Sequence, residues 1–422
     1  MLSWVPIGDD SDFSLQNLPY GVFSTRATEQ RIGVAVGGHV LDLKLLARSH
    51  IFVSLGFDTS TLEEPTLNKY SGLGRKVHRK VRALLQDILR YDTSVGHVLR
   101  DNAVLREQAL IPVQEVQMHL PMAIGDYTDF FTSPYHARNC TDIFRPGQDL
   151  PPAFFRQPLG YGGRSSSIVV SGTPIRRPRG QFVQNGEAVF GPCQKLDFEV
   201  EFAAFVGQGN ADGTPIDVRD AEDHIFGFVL HNDWSARDIQ KAEATPLGPL
   251  NGKNFCTTIS PWIVTPEALE LYRAKTIKPG NLLPYLDEQE KDSVHDIPID
   301  VHLEVGSVRY EVAQCNTKYT CFSFAQMLAH HTAGGCPMRP GDLLATGTLS
   351  GPTRPSLGCF LESSWDGTRK CELTGTCSTD KPLSREWLQD GDVIHFTARR
   401  KCIDGPGYVG FGACSGQIIL ST

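Results

Sequence analysis

The segment Lys195-Leu-Asp-Phe-Glu-Val-Glu-Phe-Ala-Ala-Phe-Val-Gly207 alternates as a strand does. Leu196, Phe198, Val200 and Phe202 point one way; Asp197, Glu199 and Glu201 point the other. Three carboxylates on one strand face repel one another. That face is either solvated or, where covered, needs a counter-charge that a divalent cation supplies. Oxygen-only ligands favour a hard ion, Ca²⁺ or Mg²⁺, over zinc. Two more acids are candidates to complete such a site. Asp129 lies in Gly125-Asp-Tyr-Thr-Asp129-Phe130, and Asp233 follows the apolar run Ile225–Leu230. Either alone is also an ordinary cap or turn residue. His136, seven residues after Asp129, is a structural imidazole or, beside a polarised carbonyl, a general base. Lys253, in the loop Pro246–Phe255, is a solvated lysine or, at such a carbonyl, an oxyanion partner.

Other motifs fail on context. Gly405-Pro-Gly407-Tyr-Val-Gly410 has the letters of a dinucleotide fingerprint but no room for a following βαβ unit. Gly248-Pro-Leu-Asn-Gly252-Lys253 is one residue short of a phosphate loop, with Asn254 where Ser or Thr is required. His330-His331 ends a capped helix and suits a helix-end role.

The elements that must position these residues are mostly strands. Short ones are predicted at Gly21–Thr25, Arg31–Val36 and His39–Leu43. Arg75 to Arg90 reads as an amphipathic helix. Val77, Val81, Leu84, Leu85, Ile88 and Leu89 share a face, and Lys and Arg dominate the other. After residue 118 the texture becomes short apolar runs between turns, among them Ser167–Val170, Ile225–Leu230, Val301–Val305 and Val393–Thr397. One helix interrupts them, opened by the capping box Ser323-x-x-Gln326 and stopped at Gly334-Gly335. The expected division is 1–118, carrying the helix 75–90, and a β-dominated 119–422.

The chain has 422 residues, 40 Lys+Arg and 48 Asp+Glu, for a net charge of −8. That balance, without a basic run, excludes an ordinary nucleic-acid or anionic-membrane binder. No apolar run suggests a transmembrane helix, and MLSWVPIGDDSDF has neither a basic nor an apolar leader region. Eleven scattered Cys without a C-x-x-C pair read as reduced thiols of a cytoplasmic protein.

Five segments together carry a resemblance: Asn17-Leu-Pro-Tyr-Gly-Val-Phe-Ser-Thr25, Gly125–Phe130, Ser171-Gly-Thr-Pro-Ile-Arg-Arg-Pro178, Asn232-Asp-Trp-Ser-Ala-Arg-Asp-Ile-Gln-Lys241 and Arg339-Pro-Gly-Asp-Leu-Leu-Ala-Thr-Gly-Thr348. By them the chain resembles the fumarylacetoacetase family over nearly its whole length. The resemblance implies a small SH3-like barrel, then a mixed β-sandwich roll, a homodimer and a Ca²⁺ or Mg²⁺ ion. It places the metal carboxylates at Asp129, Glu199, Glu201 and Asp233, the catalytic imidazole at His136 and its orienting Glu at Glu362. It assigns oxyanion stabilisation to Arg237, Gln240 and Lys253, and substrate contacts to Arg145, Gln240, Thr348 and Tyr161. Lys253 and Thr257 match the surroundings of a second cation. The implied reaction is metal-dependent hydrolysis of a carbon–carbon bond in a 1,3-diketo acid: fumarylacetoacetate to fumarate and acetoacetate, in tyrosine and phenylalanine degradation.

Three positions depart from the family pattern. Phe131 and Ala244 stand where the family has Tyr, and Gly162 where it has His. Lost hydrogen bonds weaken discrimination, and the smaller residues add volume. The alternative expectation is therefore the same scaffold acting on a bulkier diketone in a specialised biosynthetic pathway, as a retro-Claisen hydrolase, decarboxylase or tautomerase. A non-catalytic metal-binding protein is the third reading; a retained base with its orienter argues against it.

Overall fold

Residues 2–277, 280, 282–288, 292–377 and 381–421 are described by the computed structural model. The fold is mixed α+β, mostly sheet with few helices. Its N-terminal part holds a five-stranded antiparallel sheet, in spatial order Leu110–Pro112, His39–Asp42, Thr28–Val36, Tyr20–Thr25, Gln117–His119. The helix Arg75–Leu89 packs Val81, Leu85, Ile88 and Leu89 inward, as its spacing predicts. Its basic residues do not all face water, however. Arg82 is buried and donates from Nη1 to the Asn17 carbonyl at 2.6 Å. Arg75 is buried too and donates from Nε to Glu267 Oε1 at 2.8 Å. Long guanidinium stems cross an apolar face to reach acceptors beyond it, which a hydropathy pattern does not register.

The rest of the chain is built on two packed sheets. One has seven strands, in order Gly160–Gly162, Tyr127–Phe130, Leu343–Ala345, Val200–Val206, Ile225–Asp233, Thr257–Ile259, Ile168–Val170. The other is centred on Pro298–Val305, between Val308–Asn316 and Val393–Lys401. Val200, Phe202, Phe228 and Leu230 fill the space between the sheets with Phe396 and Phe411, and the Phe202 and Phe228 rings stack at 5.3 Å. Alternation sends Ala203, Phe205 and Val229 to the opposite face, where they join the core around Tyr20, Val34 and Tyr70. Glu201 and Asp233 share that opposite face, beyond the region the N-terminal part covers. One sheet face therefore carries both the contact with the N-terminal part and the acids.

Lys195–Gly207 is not one continuous strand. Leu196–Asp197 pairs with Ser235–Ala236, and a separate strand, Val200–Val206, pairs with Ile225–Asp233. The break turns Asp197 away from the face it was expected to share with Glu199 and Glu201. Its carboxylate accepts the backbone N–H groups of Phe360 (2.8 Å) and Leu361 (2.9 Å) instead. The capped helix is Phe324–Thr332, with both halves of the Ser323–Gln326 box formed. His331, near its end, lies 2.8 Å from Thr128 Oγ1 through Nε2. Among the described residues, no helix is long and apolar enough to cross a membrane.

Candidate active site

Three strands and three helices line one cavity of about 650 Å³, with a fourth strand behind its acids. Tyr127–Phe130 brings Asp129, Val200–Val206 brings Glu201, and Ile225–Asp233 brings Asp233. Single oxygens of these three carboxylates lie within 4.8 Å of one another, and all three residues are buried. Glu199, in the strand break, stands beside them in ion pairs. Its Oε1 accepts from Arg237 Nη1 at 2.7 Å, and its Oε2 from Lys253 Nζ. Lys253 Nζ also donates to Asp233 Oδ2 at 2.6 Å, and Thr257 Oγ1 to Asp233 Oδ1 at 3.1 Å. Lys253 and Thr257 therefore both contact the acid cluster itself. An ammonium is a cation and cannot ligate one, so Lys253 acts here as a fixed positive charge.

The charges do not balance. Arg237 answers Asp197 and Glu199, and Lys253 answers Glu199 and Asp233. Asp129 Oδ1 and both oxygens of Glu201 are buried without a hydrogen-bond partner. Burial first, then the neighbouring Glu201 and Asp233, pushes the Asp129 carboxyl well above the usual range. Burial, Asp233 and Glu199 do the same to Glu201. At Glu199 burial is outweighed by Lys253 and Arg237, and the carboxyl is held well below that range. Orphaned carboxylate oxygens in a buried cluster short of positive charge fit a hard divalent cation.

His136 faces the same cavity from the helix Pro134–Phe144, whose N-cap is Ser133 and whose first residue is Pro134. Its Nδ1 lies 2.8 Å from Glu362 Oε2, and both residues are buried. Glu362 is fixed in turn by Asn139 Nδ2 at 2.7 Å and Ser350 Oγ at 2.6 Å. With Nδ1 donating to Glu362, the lone pair of Nε2 is left for a proton. Burial works against the imidazolium, but Cys140 and Glu362 outweigh it, and the His136 pKa is raised well above its ordinary value.

The remaining predicted residues separate by place. Arg145, Thr348, Phe131 and Ala244 line the cavity. Tyr161 lines it too, with its hydroxyl 3.5 Å from Asp233 Oδ2. Gln240 turns its side-chain oxygen to Arg237 Nη1 at 3.2 Å. The Phe131 ring meets His136 edge-on at 5.5 Å. Gly162 is elsewhere. It lines a neighbouring cavity with His331, and a Cβ there would meet nothing within 4 Å, so it does not enlarge the catalytic pocket.

Sequence reasoning missed Asn139, Cys140, Ser350 and His231. Asn139 and Cys140 lie three and four residues after His136, on the same helix face, and helical spacing would have found them. Cys140 Sγ is 3.4 Å from His136 Nε2. Ser350 has no local signal.

Residues 16–121 match the family described as Fumarylacetoacetase N-terminal, and residues 127–419 match Fumarylacetoacetate (FAA) hydrolase C-terminal. The chain is 47% identical over 428 residues to the fumarylacetoacetase of Arabidopsis thaliana, covering 99% of this chain and 98% of that one. It is 44% identical over 429 residues to the human fumarylacetoacetase, covering 99% of each. A solved fumarylacetoacetate hydrolase from the psychrophile Exiguobacterium antarcticum superposes with a TM-score of 0.51 at 18% identity. That match covers 96% of this chain and 99% of that one, a likeness of fold. Such relatives, matched over 99% of this chain, define a hydrolase of carbon–carbon bonds. The chain belongs to the fumarylacetoacetase family.

Proposed function

We propose that the protein hydrolyses fumarylacetoacetate to fumarate and acetoacetate, a step of tyrosine and phenylalanine degradation. A Ca²⁺ or Mg²⁺ ion would be held by Asp129, Glu201 and Asp233, with Glu199 beside them. The observation that carries the reading is the His136–Glu362 pair opening onto the same cavity as the partnerless oxygens of Asp129 and Glu201. When bound, the ion supplies Lewis acidity to a carbonyl oxygen of the 1,3-dicarbonyl.

The chain's own residues do the rest. His136 Nε2 takes a proton from water, and Glu362 holds the imidazole in place as it becomes charged. The hydroxide adds to the carbonyl carbon. Lys253 and Arg237, fixed by their acid partners, bring positive charge to the developing oxyanion, and Gln240 sits against Arg237. The carbon–carbon bond breaks because the leaving carbon lies next to a second carbonyl, into which its electron pair delocalises. The imidazolium returns the proton to that carbon. Arg145 and Thr348 line the wall available to a substrate carboxylate.

The relatives named above are fumarylacetoacetases and do not favour the bulkier-diketone alternative. On the family resemblance we also read residues 1–118 as an SH3-like barrel domain and 119–422 as the catalytic roll of a cytoplasmic homodimer. The test follows loss of diketone absorbance with fumarylacetoacetate and with simple acylpyruvates, each with and without EDTA. The reading expects turnover of fumarylacetoacetate at roughly 1–10³ s⁻¹ and its loss with EDTA. Cation-loaded protein that leaves fumarylacetoacetate intact ends it.

A further inference from the structure

Glu201 and His231 are direct cross-strand partners in the pairing of Val200–Val206 with Ile225–Asp233. Residues directly opposite one another project to the same face. Their side chains meet there, with His231 Nδ1 3.2 Å from Glu201 Oε2, and both are wholly buried. Neither imidazole nitrogen has a hydrogen-bond partner, and neither does either Glu201 oxygen. The acids around them are differently supplied: Glu199 is gripped by Arg237 and Lys253, and Asp233 by Lys253 and Thr257. On the far side, the ring of His231 packs against Tyr127 at 5.3 Å. His231 also stands outside the group of oxygens that approach one another in the cluster, so it lies behind Glu201 rather than among the ligands.

We propose that His231 is a positioning residue of the cation site. Its Nδ1, already 3.2 Å from Glu201 Oε2, donates to that oxygen when the carboxylate turns to meet the ion, and so fixes its other oxygen toward the ion. The inference rests on the cation reading above and adds to it the residue that holds this ligand. A carboxylate with two free oxygens and a mobile side chain must be ordered when an ion binds. A donor already in place beside it removes part of that cost and sets its direction. Outer partners of this kind are worth roughly 10–100-fold in metal affinity. The donor matters here, and not only the ring's volume.

The experiment strips the full-length protein of cations with EDTA and titrates it with Mg²⁺ and Ca²⁺ by calorimetry. Wild type is compared with His231→Gln, which keeps an N–H donor, and with His231→Leu and His231→Met, which do not. Thermal unfolding of each cation-free variant checks that it folds; Met, the more adaptable side chain, reads the same loss should Leu not fold. The expected result is a loss of roughly 10–100-fold in affinity for the apolar variants, unchanged stoichiometry, and most of the affinity recovered in His231→Gln. Wild-type affinity in the apolar variants overturns the assignment. So does an equal loss in all three, which would make the ring a packing element. Failure of the wild-type protein to bind either cation removes the cation reading itself, and this assignment with it.

Discussion

His136 Nδ1 and Glu362 Oε2 lie 2.8 Å apart across 226 residues of chain, both buried. The pairing requires the helix Pro134–Phe144 and the short helix Phe360–Ser363 to meet, and they are in contact. Asp197 caps that short helix through the Phe360 and Leu361 N–H groups and pairs with Arg237, so one carboxylate ties the helix of Glu362 to the acid cluster. His136→Ala should lower kcat by roughly 10²–10⁴-fold, the usual worth of a general base. Glu362→Gln keeps the shape but not the charge and should give a smaller fall in kcat with KM nearly unchanged. Steady-state kinetics on fumarylacetoacetate separates the two. A variant lacking the imidazole but at full rate would remove His136 from the chemistry.

The raised pKa of His136 has a direction that can be measured. In cation-free protein the imidazole should titrate above its ordinary value of 6.5. A group raised on folding stabilises the fold fully below its unfolded value, and that contribution is lost as pH rises through the folded one. Adding Mg²⁺ or Ca²⁺ brings positive charge to the same cavity and should lower the midpoint, freeing the base. Histidine NMR, with His136→Ala to assign the resonance, checks both shifts.

Cys140 Sγ lies 3.4 Å from His136 Nε2, the nitrogen we propose as acceptor of the water's proton. Alkylation with iodoacetamide should stop hydrolysis by filling the space in front of Nε2, and Cys140→Ala should be immune to the reagent. Undiminished turnover in protein shown by mass spectrometry to be modified at Cys140 would place the water elsewhere.

How much of this was legible from the chain depends on the range of the interaction. Glu199 and Glu201 do reach the same cavity, but only Glu201 does so from a strand, since Glu199 lies in the break. Alternation misplaced Asp197, because the break after Asp197 is made by backbone donors from residues 360 and 361, far along the chain. The helix Arg75–Leu89 was legible as a helix, but its buried arginines were not. Their acceptors, Asn17 and Glu267, come from distant segments. Gly162 shows the limit of carrying a site over by motif, since its neighbour Tyr161 lines the catalytic cavity and Gly162 does not. His231 carries no local signal. Its meaning depends on strand register, which no single segment contains.

Glu267 reports on the contact between the N-terminal part and the sheet body. Burial opposes its ionisation, but the hydrogen bond and charge of Arg75, helped by Arg79, lower its pKa below the ordinary 4.5. A depressed carboxyl stabilises above its unfolded pKa, and the effect is lost as pH falls through the folded value. Wild-type stability should therefore drop as pH falls below about 4.5. Glu267→Gln should cost about 2–3 kcal/mol at neutral pH, a little under the range for breaking a buried pair, because Arg79 is exposed. It should also flatten that acid limb. Urea unfolding across pH reads both, and an unchanged acid limb in the variant would assign the loss to other carboxylates.

Asp129 and Glu201 invert the usual effect of a mutation. Each is buried among acids, with oxygens that lack a partner, so in cation-free protein each costs stability. Asp129→Asn and Glu201→Gln should raise the cation-free melting temperature while abolishing hydrolysis, as expected where a site is held ready at the expense of the fold. Mg²⁺ or Ca²⁺ at 100 times its dissociation constant should stabilise wild type by about 2.7 kcal/mol, and either variant by much less. Melting curves with and without the ion decide the matter. Should the variants melt lower than wild type without cation, the two carboxylates are satisfied by the protein alone, and the charge deficit that calls for an ion does not exist.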